Sequence, residues 1–577
     1  MKIIDRIPSD LIDAVNTFSR RLEWSRRLPI YETHKWWARR YSGAVRLLLA
    51  FTELDDKVLK KIKNYDAFVE EVYLNPPKVK NKRLLDPFCG GGTIIIEGAM
   101  LGYLSYGIEL NKIPYLVCNS LKTLPKINTK FIEYKIISTS HKLNNLWSTK
   151  CNRGHDATII HTFLAWKTNS GELQIKFNKL RDGGKKIYYC EKCNRIYTSS
   201  RNLVKCIFCG NKFNKKYDKI EHRQLVPYAV EYYCPFCNRR DFKIATPEDI
   251  ERFNFNFKRK LFRIPLLNET RRLIKAGLND FSQLLTSRQL YTYYTFLNSF
   301  KIEPYKTIAK LLVSDSLRSC SILAYYSPKY RKVIPGFVIK SYWLPPQPVE
   351  LNPLSYLFSS DKKELTPLGR GTIISTLRKL RRAKDFIKSQ KLPLNFKIYY
   401  GPAQEIIPKL NTKFNVIFTD PPYGDYQFYS DLSLFSLSII HEINSKSLKK
   451  LLEAEVVLRD KKDLITYKNR LHSVFNLAVS KLLEEGKVIV TFHHYDTNIL
   501  YEFLDVFKNL PISLHAIYPI VGESSGHLTK RKLYLDLVFV FGRDKRKPYY
   551  TFTSKLYTKY DKKLQDMIEK LVDFYKE

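Results

Sequence analysis

The sequence predicts an α/β protein in which a largely parallel sheet is interrupted by a long insertion, and three observations carry that prediction. Apolar runs of strand length lie towards both ends of the chain, at 84–86, 103–110, 397–400, 414–419, 485–492, 512–520 and 534–541. The run Val416-Ile417-Phe418 shows no polar alternation, as in a parallel strand covered on both faces. A glycine-rich stretch, Asp86-Pro87-Phe88-Cys89-Gly90-Gly91-Gly92-Thr93, joins the first run to an apolar helix. Between 126 and 395 this pattern gives way to paired cysteines and helical periodicity.

Composition narrows the class. With 577 residues, 44% of them hydrophobic, the chain can bury several cores and is not a disordered protein. Lys and Arg outnumber Asp and Glu by 98 to 56, a net charge of +42, and 39 tyrosines and 34 phenylalanines are interleaved with the cations. Positive charge attracts phosphates and aromatic rings stack on bases, so a polyanion partner, a nucleic acid, is expected. The opening Met1-Lys2-Ile3-Ile4-Asp5-Arg6 lacks a signal-peptide core, and no window approaches the apolar length of a membrane span. A cytoplasmic protein with no membrane partner is the expectation.

Residues 1–83 read as a helical segment packing on the catalytic domain, with Leu11, Ile12, Val15 and Phe18 at helical spacing. Within it, Lys35-Trp36-Trp37-Ala38-Arg39-Arg40 does not follow a simple amphipathic stripe. Residues 84–125 read as strand, glycine loop, helix, strand. Glycines let a backbone approach a ligand closely, and the next helix offers free N–H groups. Glu109 ends the second strand where a carboxylate takes ribose hydroxyls in nucleotide-binding folds. The loop lacks the Gly-Lys-Ser/Thr ending of a phosphate-binding loop.

Residues 126–245 carry three Cys-x-x-Cys pairs. Cys190/Cys193 followed by Cys206/Cys209 has the spacing of a zinc ribbon, two dithiol knuckles completing a tetrahedron. Cys234/Cys237 forms a third knuckle, for which Cys151 and His155 are the candidate partners in a second zinc site. The alternative pairing joins Cys206/Cys209 to Cys234/Cys237. Residues 246–395 are helical and make the candidate target-recognition region. There, Thr286 or Ser287 is expected to cap a helix exposing Arg288 and Gln289, side chains suited to bases and phosphates. A basic helix at 371–387, with Arg378, Lys379, Arg381, Arg382 and Lys384, is a candidate phosphate track.

The sheet resumes in 396–545, and 546–577 closes the chain with a charged helix. Here the strand 414–419 ends abruptly at Asp420-Pro421-Pro422-Tyr423. Prolines cannot extend a ladder, so the loop opens at the strand's C-terminal end, where α/β sheets bind ligands. The exocyclic amine of a base is a poor nucleophile because its lone pair is delocalised into the ring. The Asp420 carboxylate and the Pro421 carbonyl can each accept one of its N–H bonds as the nitrogen becomes positive. Pro422 stiffens that loop, and Tyr423 is placed to stack on a base taken out of its helix. The loop 522–527 is a candidate substrate cover.

The Asp86 loop resembles the first motif of S-adenosylmethionine-dependent methyltransferases, and together with Asp420 to Tyr423 it resembles the amino-methyltransferases. Adding Trp36 to Arg40, the cysteine knuckles, Arg288-Gln289-Leu290 and Glu455 to Arg459, nearly the whole chain resembles large prokaryotic adenine-specific DNA methylases that contain a zinc ribbon. The resemblance implies a Rossmann-like seven-stranded methyltransferase sheet interrupted by the zinc-ribbon and helical insertion. It implies S-adenosylmethionine held by Lys35, Trp36, Asp86, Pro87, Phe88, Gly90, Gly92, Thr93, Glu109, Leu110 and Ala403, and Zn2+ in the ribbon. The implied reaction is methyl transfer to adenine N6 in a flipped-out base of DNA, linked to modification or defence. A nuclease partner is not visible in the sequence. Pro402 stands where such enzymes often place an acid for the adenine amine, so that contact must come from elsewhere. The alternatives are an RNA guanine-N2 methyltransferase, which shares Asp-Pro-Pro-Tyr-Gly, and a non-catalytic nucleic-acid-binding protein.

Overall fold

A computed structural model describes the chain apart from residues 26, 38, 168–172, 175–178, 183–184, 202, 213–223, 328–331, 338–341, 360–363, 495, 522–534, 552–560 and 577. The loop 522–527 and Ala38 therefore lie outside the described residues. Two compact units are formed: Met1–Pro125 with Ala383–Ser430 and Lys446–Glu577, and Lys126–Arg382 with Asp431–Ser445. No described helix is long and apolar enough to cross a membrane.

The first unit is built on a mixed sheet of eight strands: β1 (Arg83–Asp86), β2 (Leu104–Glu109), β3 (Phe396–Tyr400), β4 (Phe414–Thr419), β5 (Leu482–Phe492), β6 (Ser513–Val521), β7 (Leu535–Gly542) and β8 (Tyr549–Tyr550). Their spatial order is β3-β2-β1-β4-β5-β7-β6-β8. Strands β3, β2, β1, β4 and β5 are parallel, and β7 runs antiparallel to both β5 and β6. The order turns back at β1 and β4, so the loops after β1 and β4 open side by side at one edge. The sheet has one strand more than the seven expected. The extra strand, β8, is a two-residue edge pairing in parallel with β6, too short to leave a periodicity in sequence. Because β3 pairs only with β2, at the sheet's end, the chain leaves after Glu109 and returns at Phe396 without crossing another strand of this sheet.

Buried apolar residues explain the central strands: Leu84, Leu85, Ile417, Phe418, Val488, Ile489, Phe539 and Val540 are inaccessible to solvent. Helix α1 (Thr93–Leu101) follows the glycine loop and starts at Gly92, in the left-handed region at φ 84°. It lies so close to β1 that a Cβ on Gly98 would stand 2.3 Å from the Leu84 side chain. The N-terminal helix Ser9–Ser25 is stitched to β6, the Asn16 amide donating to the Pro519 carbonyl (3.2 Å) and accepting from the Val521 N–H (2.8 Å).

The second unit holds an antiparallel sheet in the order Arg239–Ile244, Leu225–Cys234, Asp156–Lys167, Val349–Leu351. Two expectations fail here. Thr286 does cap the helix Ser287–Asn298, accepting from the Gln289 N–H at 3.2 Å, but Arg288 and Gln289 face the interior and have no exposed surface. Arg288 pairs with Glu350, donates to Thr162 Oγ1 (2.6 Å) and the Leu146 carbonyl (3.0 Å), and lies 4.4 Å above the Trp147 ring. Gln289 donates to the Leu351 carbonyl. A cation without a nearby acid in sequence looks exposed, but its partner Glu350 is 62 residues away. The basic helix, observed as Ile373–Ser389, likewise spends part of its charge internally. Lys379 pairs with buried Asp315, and Arg381 with Glu133 and Glu364. Arg378 and Arg382 remain exposed.

Candidate active site

The edge where β1, β2, β3 and β4 end bears a cleft within the first unit. Its floor is the glycine loop. Asp86 leaves β1 fully buried, and its Oδ1 accepts from the Phe88 N–H (3.1 Å) and the Thr419 hydroxyl (2.7 Å). Oδ2 is buried with no hydrogen-bond partner. Burial pushes this carboxyl up to about 8, against the pull of those two donors. Glu109, at the end of β2, clamps the loop: one oxygen accepts from the Gly90 N–H (2.7 Å), the other from the Asn111 N–H (2.6 Å). Burial lifts Glu109 to about 7.

Across the cleft stands Asp420. Its Oδ1 receives three donors: Arg40 Nη2 at 2.6 Å, Thr491 Oγ1 at 2.8 Å, and the Tyr423 hydroxyl. Among the described residues nothing donates to Oδ2. Burial raises the carboxyl, and Arg40 and Thr491 oppose it. Arg40 is itself shared, since its other amino group pairs with buried Asp536, which also meets His493 Nδ1 at 2.8 Å. The loop is fixed from behind by Tyr467, whose hydroxyl donates to the Pro422 carbonyl (2.8 Å) and accepts from the Gly424 N–H (3.2 Å). That leaves the Pro421 carbonyl free of the anchoring.

Most expected ligand residues line this one cleft: Trp36, Asp86, Pro87, Phe88, Gly90, Thr93, Glu109, Leu110, Ala403, Asp420, Pro421, Pro422 and Tyr423. Lys35 and Gly92 do not. Lys35 is half-buried beside the lining, and Gly92 serves packing, because a Cβ there would meet Cys118 Sγ at 2.5 Å. Tyr423 is more constrained than a free stacking platform: its hydroxyl is tied to Asp420 and the Arg40 guanidinium lies 5.3 Å above its ring. Trp36 instead offers a second aromatic wall, stacked on Tyr429 with centroids 5.7 Å apart.

Tyr429 belongs to the run 425–432 after the Asp420 loop, whose aromatics the sequence offers as the lining of a base pocket, and it does line the cleft. Sequence reasoning quoted Arg40 without a role and passed over Thr491, Tyr467 and Asp536. Thr491 carried a signal, as a polar residue near the end of an otherwise apolar strand. The others are remote in sequence and gave none. Gln404 lines the cleft beside Pro402 and Ala403.

In the second unit the candidate metal-binding side chains gather as two quartets, Cys190/Cys193/Cys206/Cys209 and Cys151/His155/Cys234/Cys237, each with its potential ligand atoms within 4.8 Å of one another. The exchanged pairing is not adopted. Sulfur separations of 3.5 Å (Cys190 to Cys209) and 3.7 Å (Cys193 to Cys206) approach the edge of a tetrahedron with metal–sulfur bonds of about 2.3 Å. The two lead knuckles are also repeats of one another, Tyr-Tyr-Cys-x-x-Cys-Asn-Arg at 188–195 and again at 232–239. In each, the second tyrosine donates to the asparagine, which takes the left-handed turn (Tyr189 to Asn194, Tyr233 to Asn238).

Residues 77–142 match the family model described as "UPF0020: RMKL-like, methyltransferase domain". No curated protein matches the chain. Among solved structures, TrmN from Thermus thermophilus is similar at 14% identity and TM-score 0.15, over 29% of this chain and 33% of its own. A methyltransferase homolog protein from Pyrococcus horikoshii is similar at 13% identity and TM-score 0.16, over 30% and 58%. A precorrin 8w decarboxylase from Methanobacterium thermoautotrophicum is similar at 11% and 0.14, over 29% and 64%. The chain thus spans less than two thirds of each of these. The glycine loop, Glu109 and the strands that carry them fall inside residues 77–142, and the chain carries a methyltransferase domain.

Proposed function

We propose that this protein transfers a methyl group from S-adenosylmethionine to the exocyclic amine of a base in nucleic acid, with adenine N6 in DNA as the target. The observation that carries the reading is the state of Asp420, whose Oδ1 is held by Arg40, Thr491 and Tyr423 while Oδ2 is left without a donor, in the cleft that also contains Asp86 and Glu109. The amine's two N–H bonds go to Asp420 Oδ2 and the Pro421 carbonyl, which orients the nitrogen lone pair and stabilises the positive charge that develops on it. Pro421 and Pro422 limit the loop's freedom, so little reorganisation accompanies that step.

The cleft suits the methyl donor by the chemistry of its acceptors. S-adenosylmethionine, when bound, supplies an electrophilic methyl group, an ammonium and ribose hydroxyls. Asp86 Oδ2 is an unpartnered buried acceptor suited to a cationic or hydroxyl donor, and Glu109 stands at the strand end from which ribose is reached. Gly90, at φ 50°, keeps the loop free of a side chain beside Trp36. The thiol quartets suit structural Zn2+ in the second unit.

RNA guanine-N2 is the second reading, favoured by Gly424 directly after Tyr423 and by the RMKL-like match at 77–142. One experiment separates the two: transfer of labelled methyl groups to unmodified genomic DNA and, in parallel, to total RNA, with the wild type and Asp420→Ala. Label in DNA, released as N6-methyladenine and absent with the variant, supports the adenine reading. Label confined to RNA replaces it with the guanine reading, and label in neither removes both.

A further inference from the structure

The first ribbon, Lys185–Lys212, contains seven cations and a single acid, Glu191, which already accepts a hydrogen bond from the Asn211 amide at 3.1 Å. Lys192, Arg201, Lys205 and Lys212 are exposed, and no described carboxylate pairs with any of them. Lys205 and Lys212 are brought side by side by a bridge that closes the second knuckle. The tip of that knuckle carries exposed apolar residues, Ile207 at 60% and Phe208 at 53% accessibility, with Val204 at 73% just before it. Apolar side chains of this size are costly in water and do nothing for the ribbon's small core, which is Tyr188, Cys190 and Cys206. Phe208 is nevertheless oriented, its ring edge-on to Tyr197 at 5.1 Å and the Arg195 guanidinium 4.7 Å from its centroid. The Cys234–Cys237 knuckle also carries a phenylalanine just before its second cysteine, Phe236, which is 79% exposed and rests on the His155 ring.

We infer that the knuckle tips are a docking surface for single-stranded nucleic acid, with Phe208 and Phe236 stacking on unpaired bases and Lys192, Arg201, Lys205 and Lys212 meeting the phosphates. An acidic protein would satisfy the cations but gives no reason for oriented aromatic rings at both tips, whereas unpaired bases between phosphates satisfy both. In a duplex the bases are stacked on one another and offer no faces to Phe208 or Phe236. The inference rests on the methyl-transfer reading only in sharing its nucleic-acid substrate, and it adds the strand state that the surface selects.

The test is equilibrium binding of the full-length, zinc-loaded protein, without methyl donor, to a labelled mixed-sequence oligonucleotide as single-stranded DNA, as single-stranded RNA and as DNA duplex. Phe208→Ala with Phe236→Ala is expected to weaken single-strand binding about tenfold or more and to leave duplex binding nearly unchanged. Phe208→Trp with Phe236→Trp should restore it, which a folding defect would not allow. Lys205→Gln with Lys212→Gln should lower the salt-dependence slope for single strands by about 1.4, the share of two phosphates. The DNA and RNA arms decide which polymer is preferred. Unchanged single-strand affinity in the Ala pair, or an equal loss on duplex, overturns the proposal. Asp420→Ala, which should bind like the wild type but transfer nothing, keeps a failure here distinct from a failure of the methyl-transfer reading.

Discussion

Asp86 is buried and Asp420 part-buried, and desolvation raises both carboxyls, yet their surroundings prepare them for different tasks. Asp420 is pulled back towards ionisation by Arg40, and an ionised acceptor is what the amine requires. Arg40→Gln should therefore reduce methyl transfer about tenfold to a hundredfold, and the rise of rate with pH should move to higher pH because the carboxyl then ionises later. Arg40→Lys should bring the rise back towards its original position while the rate stays below wild type, since an ammonium restores the charge but not the fork shared with Asp536. Rate–pH profiles of the three proteins test this, and an unshifted profile in Arg40→Gln refutes it. Asp86 has no cation beside it, and with its carboxyl at about 8 it is largely protonated at neutral pH. A cationic donor favours the ionised form, so binding S-adenosylmethionine at pH 7 should release a proton. Titration calorimetry in buffers of different ionisation enthalpy would show it, with less release in Asp86→Asn. Asp86, Glu109 and Asp420 were all legible in sequence, because each ends an apolar strand at the same sheet edge. Arg40's role was not, because its partner Asp420 is 380 residues away.

At the scale of elements, the helix Ser287–Asn298 shows how a residue's type can mislead about its task. Arg288 replaces the nucleic-acid contact expected of it with a buried pair to Glu350. Arg288→Met should cost about 3–5 kcal/mol in denaturant unfolding of the second unit, because Glu350 is left buried and unpaired. The double variant Arg288→Met, Glu350→Leu should recover most of that loss, and an undiminished stability in the single variant would show the pair to be dispensable. The first cysteine quartet was more readable, since its two Cys-x-x-Cys pairs lie close together in the sequence, and the fold gathers them. The sequence left two pairings open, and the folded chain chose the one that joins Cys234 and Cys237 to Cys151 and His155, through the strands Ser148–Lys150, Asp156–Lys167 and Leu225–Cys234 that bring them together. Metal analysis should find two Zn2+ per chain, falling by one in Cys193→Ser and by one in Cys237→Ser. A chelator should then loosen the ribbon while the first unit's Asp86 cleft keeps its ligand affinity.

For the molecule as a whole, a net charge of +42 makes association with a polyanion strongly salt-dependent. Affinity for nucleic acid should fall steeply and linearly on a logarithmic scale between low and physiological salt. A flat response would mean that the cations are consumed within the protein, as Lys379 and Arg381 are. By itself the sequence determined the α/β class, the strands that bear the cleft, the Asp86 and Asp420 loops and the cysteine spacings, because each is written in a few adjacent residues. Tertiary structure alone decided which oxygen of Asp420 is left free, which cations are buried and which are exposed, how the quartets pair, and the eighth strand. Those depend on partners tens to hundreds of residues apart, and burial or pairing across such distances leaves no local pattern.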